Sequence, residues 1–211
     1  SPPPGLLGRL AGIPYCPESA LAAAAGSAGA AEAASPSCPA ASQVGTAAVA
    51  AGAGPAPLAI AGKVFLSCPY HGAPLSLAVV TPATAGPFDL GTAVVRVALF
   101  VDPETAQVRA LSDPVPDVFG GTQLSIRSID LSIDRERFTL NPTSCKPSAI
   151  GGVLNGGGAD PTDPSAFSTV PVNAPFQATD CGALGFRPKL TTRLTGGPGT
   201  TGRTGSTSAC A

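Results

Sequence analysis

Methionine and tryptophan are absent from this chain of 211 residues, tyrosine occurs only at Tyr15 and Tyr70, and His71 is the single histidine. Sugar-binding surfaces commonly stack exposed aromatic rings on the pyranose face, so a chain with 5% aromatics is poorly equipped for that role. Charge is scarce too, at 12% of residues against roughly 25% in an average soluble domain. With Lys+Arg at 12 and Asp+Glu at 13, nothing offers a footprint to a phosphate backbone or a basic cluster to an anionic membrane surface. The longest apolar runs, such as residues 93–101 with Arg96 inside, fall far short of the ~20 residues of a spanning helix. Nucleic acid and membrane insertion are therefore not expected.

What the chain does contain is six cysteines, 26 glycines and 24 prolines, with a 44% apolar fraction swollen by alanine. Six cysteines together with the missing methionine suit a processed piece of an exported protein, where an oxidising compartment lets disulfides persist. No signal peptide is visible, so export is inferred from the cysteines. Zinc is the rival use of cysteine, but no pair has the spacing of about two to four residues found in structural zinc sites. Six cysteines admit 15 pairings, and spacing does not choose among them.

Residues 1–37 differ from the rest. Pro17 and Glu18 suit the first turn of a short helix, proline because its missing N–H is not needed there and glutamate because it faces the positive end of the helix dipole. Residues 22–37 read as a loose Ala/Gly/Ser insertion that buries too little area to offset its ordering entropy. From Cys38 the pattern turns to β-structure, with candidate strands at residues 43–51, 58–67, 74–80, 92–101, 106–112, 123–134, 148–153 and 170–178. Turns built on Gly, Pro and Asp separate them. Asp102-Pro103-Glu104-Thr105 reads as a type I turn that makes a hairpin of its flanking strands. In residues 123–134 the apolar positions are Leu124 and Ile126, then Ile129, Leu131 and Ile133, so the alternation slips and a β-bulge is expected at Arg127-Ser128. This is the grammar of an all-β antiparallel β-sandwich, Ig-like or related, with a short N-terminal helix, spanning residues 38–187 and followed by a Gly/Thr/Ser tail at 188–211.

Chemistry is harder to find. Catalysis by His71 needs a nucleophile and an orienting partner, and neither Ser67 nor Ser76 sits in a nucleophile-elbow sequence. The simpler role is a turn residue, with Tyr70 and His71 left as the candidate ligand contacts. Asp102, Glu104 and Asp113 could supply some of the oxygens that calcium needs, although Asp before Pro is ordinary turn chemistry and no cofactor is expected. Asp134-Arg135-Glu136-Arg137 reads as a solvated strand edge that discourages edge pairing. Gly151-Gly152 and residues 155–158 (Asn-Gly-Gly-Gly) lack the following helix or lysine of a phosphate cradle and read as a loose connection.

CPESAL, CPAASQVG, GKVFLSCPYHGAPLSLAVVTPATAGPFDLGTAVVRVALFVDPET, SDPVPDVFGG and RFTLNPTSC resemble a family of exported actinobacterial proteins to which no activity is assigned. The resemblance spans residues 4–186 and implies a secreted or cell-surface, β-rich module within longer extracellular chains. It also implies pairing of Cys16 with Cys38 and of Cys145 with Cys181, leaving Cys68 and Cys210 either paired or reduced. The chain departs from the family pattern in the Ala-rich stretch between Cys16 and Cys38, in the cysteine at position 68 and in the tail after Leu190, which bears on both the pairing and the C-terminal boundary.

The expectation that results is a non-catalytic structural or adhesive module of a secreted or cell-surface bacterial protein. Its partners would be neighbouring modules of the same long chain or cell-envelope components. A carbohydrate-binding module is the alternative, and a hydrolase the weakest reading.

Overall fold

Turn residues divide the chain into short antiparallel strands in the computed structural model, which describes all residues except 53–54, 117, 124, 158–161, 164, 185–209 and 211. In chain order the elements are β1 (Leu7–Gly8), α1 (Glu18–Ala25), α2 (Gly29–Ala34), β2 (Gln43–Ala51), β3 (Leu58–Ser67), β4 (Leu75–Ala85), β5 (Phe88–Val101), β6 (Val108–Ser112), β7 (Val118–Phe119), β8 (Thr122–Gln123), β9 (Ile126–Ser132), β10 (Thr139–Leu140), β11 (Ser148–Gly157) and β12 (Phe167–Phe176). Six of them form a curled antiparallel sheet in the order β6-β5-β4-β3-β2-β9. The pairs β1-β10, β7-β8 and β11-β12 stand as separate two-stranded sheets. The fold is all-β and sandwich-like, as the turn pattern implies.

Each face of the central sheet buries its own cluster, as period-two alternation requires. Phe65, Ala78 and Val80 face α1, where Leu21 and Ala24 pack against them beside Cys16 and Cys38. Val64, Leu66 and Val79 face the other way, onto Phe138 and the half-buried Leu10, Ile13 and Tyr15 of the N-terminal segment. Phe65 and Leu66 are each 1% exposed, and burial of side chains this size stabilises by about 2–3 kcal/mol apiece. Alanine supplies much of the remaining interior, so these few large side chains carry an outsized share.

The first 37 residues are part of this packing rather than a separate appendage. The Cys16 N–H donates to Leu66 O at 2.8 Å, and Cys16 bridges Ser67 in parallel register. Residues 22–37, read from composition as a loose insertion, instead complete α1 and form α2, with Glu32 buried and accepting from Ser37 N at 2.9 Å and Ser37 Oγ at 2.6 Å. The composition argument fails because small side chains are what this site needs. A Cβ on Gly29 would lie 2.7 Å from Gly91 O, so only glycine lets α2 approach β5 this closely. Asp89 of β5 then caps α2 from outside the helix, accepting from Gly29 N at 2.7 Å and Ala30 N at 2.8 Å, and also from Gly91 N at 2.9 Å.

The strand assignments at residues 43–51 and 58–67 coincide with β2 and β3, and the other six lie on observed strands with shifted ends. The pairing of β2 with β9 shifts between Ala50↔Ser128 and Ala51↔Ile126, so Arg127 is the extra residue of a bulge at the expected place. β5 and β6 form the expected hairpin, with Asp102 Oδ1 accepting from Glu104 N at 2.9 Å and Thr105 N at 2.7 Å. Its loop is wider than a type I turn. It closes through Ala106 N to Asp102 O at 2.9 Å, with Ala106 at φ 56. The glycine-rich stretch taken for a loose connection is instead strand as far as Gly157, since β11 pairs with β12 residue for residue. Position 158 and most of the tail lie outside the described residues.

Three disulfides close loops of 22, 142 and 36 residues, joining Cys16–Cys38, Cys68–Cys210 and Cys145–Cys181. The first and third are the pairings that the resemblance implies, and the second settles the two cysteines left open. In the chain-entropy treatment these closures contribute about 3, 5 and 4 kcal/mol as upper limits.

Asp89 gives this fold a pH dependence of defined sign. Backbone N–H groups of Ala30, Gly91 and Gly29 hold its carboxyl below the usual carboxylate range. A depressed folded pKa means that the cap stabilises fully above the ordinary aspartate value of about 3.9 and is lost as pH falls through the folded value. Asp89→Asn is expected to lower Tm at pH 7, with the gap to the parent narrowing as pH drops below about 4 in a thermal-melt series. A gap that stays constant across the series would show that the charge does not stabilise α2.

Candidate functional site

The residues that carry chemistry converge between the start of β4 and the middle of β5, beside the Cys68–Cys210 disulfide. Tyr70 and Ala73 exchange backbone hydrogen bonds, Tyr70 N to Ala73 O at 3.1 Å and Ala73 N to Tyr70 O at 2.9 Å, which leaves a two-residue loop at His71 and Gly72. Both loop residues have positive φ, 48° and 79°, the geometry that makes glycine the natural second residue. The tight loop sets the Tyr70 and His71 rings parallel, with centroids 4.0 Å apart and planes at 15°.

Beneath Tyr70 lies Arg96, 7% exposed, projecting from β5 on the face that the helices cover. Its Cζ sits 4.2 Å from the Tyr70 ring centroid on a cation–π path. Nη1 donates to Glu18 Oε1 and Oε2 at 2.8 Å each, and Nη2 donates to Ser76 Oγ at 2.9 Å and to Cys68 O at 3.3 Å. Nε has no hydrogen-bond partner among the described residues. The site is completed just past β6, where Asp113 N donates to Arg96 O at 2.9 Å. Asp113 Oδ2 accepts from the Tyr70 hydroxyl at 2.7 Å, and Oδ1 stands 4.0 Å from His71 Nδ1. The hydrogen bond to Asp113 pushes the Tyr70 phenol above its usual value, with burial adding to the effect. Raised in the fold, that phenol contributes stability below about pH 10 and loses it as pH climbs through the folded value.

These contacts decide what the cluster can do. Nucleophilic catalysis requires a hydroxyl offered to a base. Ser76 Oγ donates instead to Cys68 O at 2.6 Å and Ser67 Oγ to Cys16 O at 3.0 Å, both within the buried interior. Tyr70, set out as a candidate ligand contact, has the Arg96 guanidinium and the His71 ring stacked on it and its hydroxyl engaged by Asp113. The His71 side chain is exposed.

The other polar candidates are dispersed. Asp102 is engaged by its own loop, and no group of three or more His, Cys, Asp or Glu able to hold a metal ion occurs among the described residues. Arg135, read as part of a solvated edge, instead ties that edge down, since Nη1 donates to Ala41 O at 2.7 Å and Gln43 O at 2.8 Å. Its neighbours Glu136 and Arg137 are exposed as expected. Sequence reasoning missed Arg96 as the centre of the cluster. The available signal was a single arginine within the apolar run 93–101, a position that demands buried partners.

Compared with known proteins, the chain matches no family model, no curated protein and no solved structure.

Arg96→Leu is expected to cost about 2–3 kcal/mol in denaturant unfolding. Leaving one member of a buried ion pair uncompensated costs about 3–5 kcal/mol, discounted here because Glu18 is half-exposed and rehydrates. Tyr70→Phe keeps the stack and loses one charge-assisted hydrogen bond, for about 1 kcal/mol. Equal losses from the two variants would contradict the central place of Arg96.

Proposed function

We propose that this chain is a non-catalytic structural or adhesive module of a secreted or cell-surface protein. The observation that carries the reading is the inward commitment of its polar side chains. Arg96, Glu18, Tyr70, Asp113, Ser76 and Ser67 all bond within the fold, and their partners are strand ends, a helix start and backbone carbonyls rather than an open cleft. Sites that bind or transform small molecules leave convergent polar groups facing a pocket. A cavity of about 180 Å³ between α2 and β3-β4 is lined mainly by apolar atoms of Ala33, Pro36, Ala61, Phe65, Val80 and Pro82, and a wider, open hollow of about 560 Å³ lies between α2 and the β4-β5 turn.

Three disulfides suit an oxidising, extracellular-type environment. Placement outside the cell and attachment to neighbouring modules or envelope components are part of the proposal. No helix of the described residues is long and apolar enough to cross a membrane.

Two measurements test the reading. An array of peptidoglycan fragments and polysaccharides is expected to show no saturable binding by the oxidised chain. Saturable binding that is abolished by His71→Ala, with Tm unchanged, would replace the proposal with a carbohydrate-binding module working from the exposed imidazole face. Full reduction is expected to remove most of the stability, because the disulfide closures together rival the roughly 5–15 kcal/mol that holds a typical domain. Thermal melts with and without a phosphine reductant would show it, and an unchanged Tm would remove the argument for an oxidising compartment.

A further inference from the structure

Two charged side chains are buried among the described residues, and their surroundings differ. Arg96 meets the Glu18 carboxylate at 2.8 Å. Glu32, 3% exposed, meets no cation. Its oxygens accept from Ser37 N at 2.9 Å and Ser37 Oγ at 2.6 Å, and no Lys, Arg, His or amino-terminal nitrogen of the described residues lies within 4.0 Å. A carboxylate has about four acceptor sites, so roughly half of its capacity is unused. Buried carboxylates are as a rule paired with a cation or a metal, because their desolvation is otherwise uncompensated. Glu32 lines the cavity of about 180 Å³ between α2 and β3-β4. Lys63 of β3 lines it too, half-buried, its ammonium making no hydrogen bond or ion pair among the described residues. Pro36, Phe65, Val80 and Pro82 supply apolar walls. The neighbouring hollow of about 560 Å³ offers nothing similar, since Asp89, its one charged residue, is committed to the N–H groups of Gly29, Ala30 and Gly91.

We infer that this cavity binds a small zwitterion with an apolar body, a free α-amino acid of about the size of valine, with its ammonium on Glu32 and its carboxylate on Lys63. Charge selects the ligand class. One carboxylate and one ammonium at the same cavity, unpaired with each other, complement a molecule that carries both signs. Size sets its bulk, since a cavity of about 150 Å³ holds benzene and one of about 180 Å³ therefore holds roughly six to eight heavy atoms. The walls set its side chain, because Phe65, Val80, Pro36 and Pro82 present apolar surface that suits a branched alkyl group and gives a polar one no partner. A metal ion fits poorly. Calcium takes six to eight oxygens and zinc about four donors, and no group of three or more His, Cys, Asp or Glu able to hold a metal occurs among the described residues. The residues of this site are separate from the Arg96 cluster, so it adds a binding step to a non-catalytic module and does not rest on that reading.

Titration of the full, oxidised, isotope-labelled chain with valine up to about 50 mM, followed by amide chemical shifts, tests it, a range that covers the affinity open to so small a ligand. Saturable shifts are expected at Ala33, Ala61, Gly62, Lys63, Phe65 and Val80, with the amides of His71 and Arg96 unmoved. Two analogues keep the branched body and one charge each. 3-Methylbutanoate, which lacks the ammonium, should bind at least about tenfold more weakly than valine, and isobutylamine, which lacks the carboxylate, at least about threefold more weakly. Glu32→Gln, which keeps an acceptor for Ser37, should raise the dissociation constant for valine at least about tenfold, and Lys63→Gln at least about threefold. The analogues need no variant, so a Glu32→Gln chain that fails to fold leaves the test intact. Absence of saturable shifts throughout the titration overturns the inference, as do shifts centred away from the cavity. Isobutylamine binding as tightly as valine would assign the cavity to simple amines and overturn it equally.

Discussion

A buried guanidinium organises this fold. Arg96 lies in the middle of a fourteen-residue strand, on the face where α1 and α2 must dock, and a charge there is tolerable only if its donors are met. Meeting all of them but Nε recruits one group from each surrounding element: Glu18 at the start of α1, Ser76 from β4, the Cys68 carbonyl just past β3 and the Tyr70 ring from the following loop. Apolar packing alone would let α1 slide along a sheet surfaced with alanine and valine. The Arg96 contacts are directional, so they set the register of helix on sheet and fix the loop that carries Tyr70 and His71. A buried polar group that specifies one arrangement in place of several similar ones is a known use of such interactions, and the uniform apolar surroundings make that role specific here.

Thinness of the core explains the distribution of the disulfides. Alanine in α1, α2 and β2 buries little area per residue, and the large buried side chains are few. Each disulfide accordingly joins segments that packing secures weakly. Cys16–Cys38 brackets both helices, Cys145–Cys181 closes the base of the exposed ribbon, and Cys68–Cys210 holds the far end of the chain to the strand beside Arg96. Covalent closure replaces apolar area where side chains are small.

Elements whose signal is local were legible in the sequence. Strands β2 and β3 show as apolar runs between turn residues, and the bulge at Arg127 shows as a slip of parity. The helix at Pro17-Glu18 shows as a start signal. Elements that depend on distant partners were not. α2 is capped by Asp89, 60 residues further on, so composition presented it as a loose insertion. The ribbon residues Gly151-Gly152 and Gly156-Gly157 look like linker because glycine has low strand propensity, yet the ladder with β12 forms through them. In the candidate site, Tyr70 and His71 were visible as unusual residues, but the meaning of Tyr70 came from its contacts with Arg96 and Asp113, which lie 26 and 43 residues further on and which no local motif encodes.

The arrangement reverses the usual division between inside and outside. Polar groups capable of chemistry are drawn into the Arg96 cluster, while Ile150, Leu154, Val170 and Val172 are left facing water. Exposed apolar residues scattered singly need no explanation, but a contiguous row on a ribbon that lacks a second layer does. Neither strand of the ribbon carries a charged side chain, so electrostatic repulsion does not hold its faces away from other surfaces. Edge pairing is limited by Pro171, Pro175 and the Ser1 contact, so the ribbon resists open-ended strand addition while its face stays available. The polar chemistry of this chain is turned inward, and apolar side chains on both faces of the ribbon are left to water.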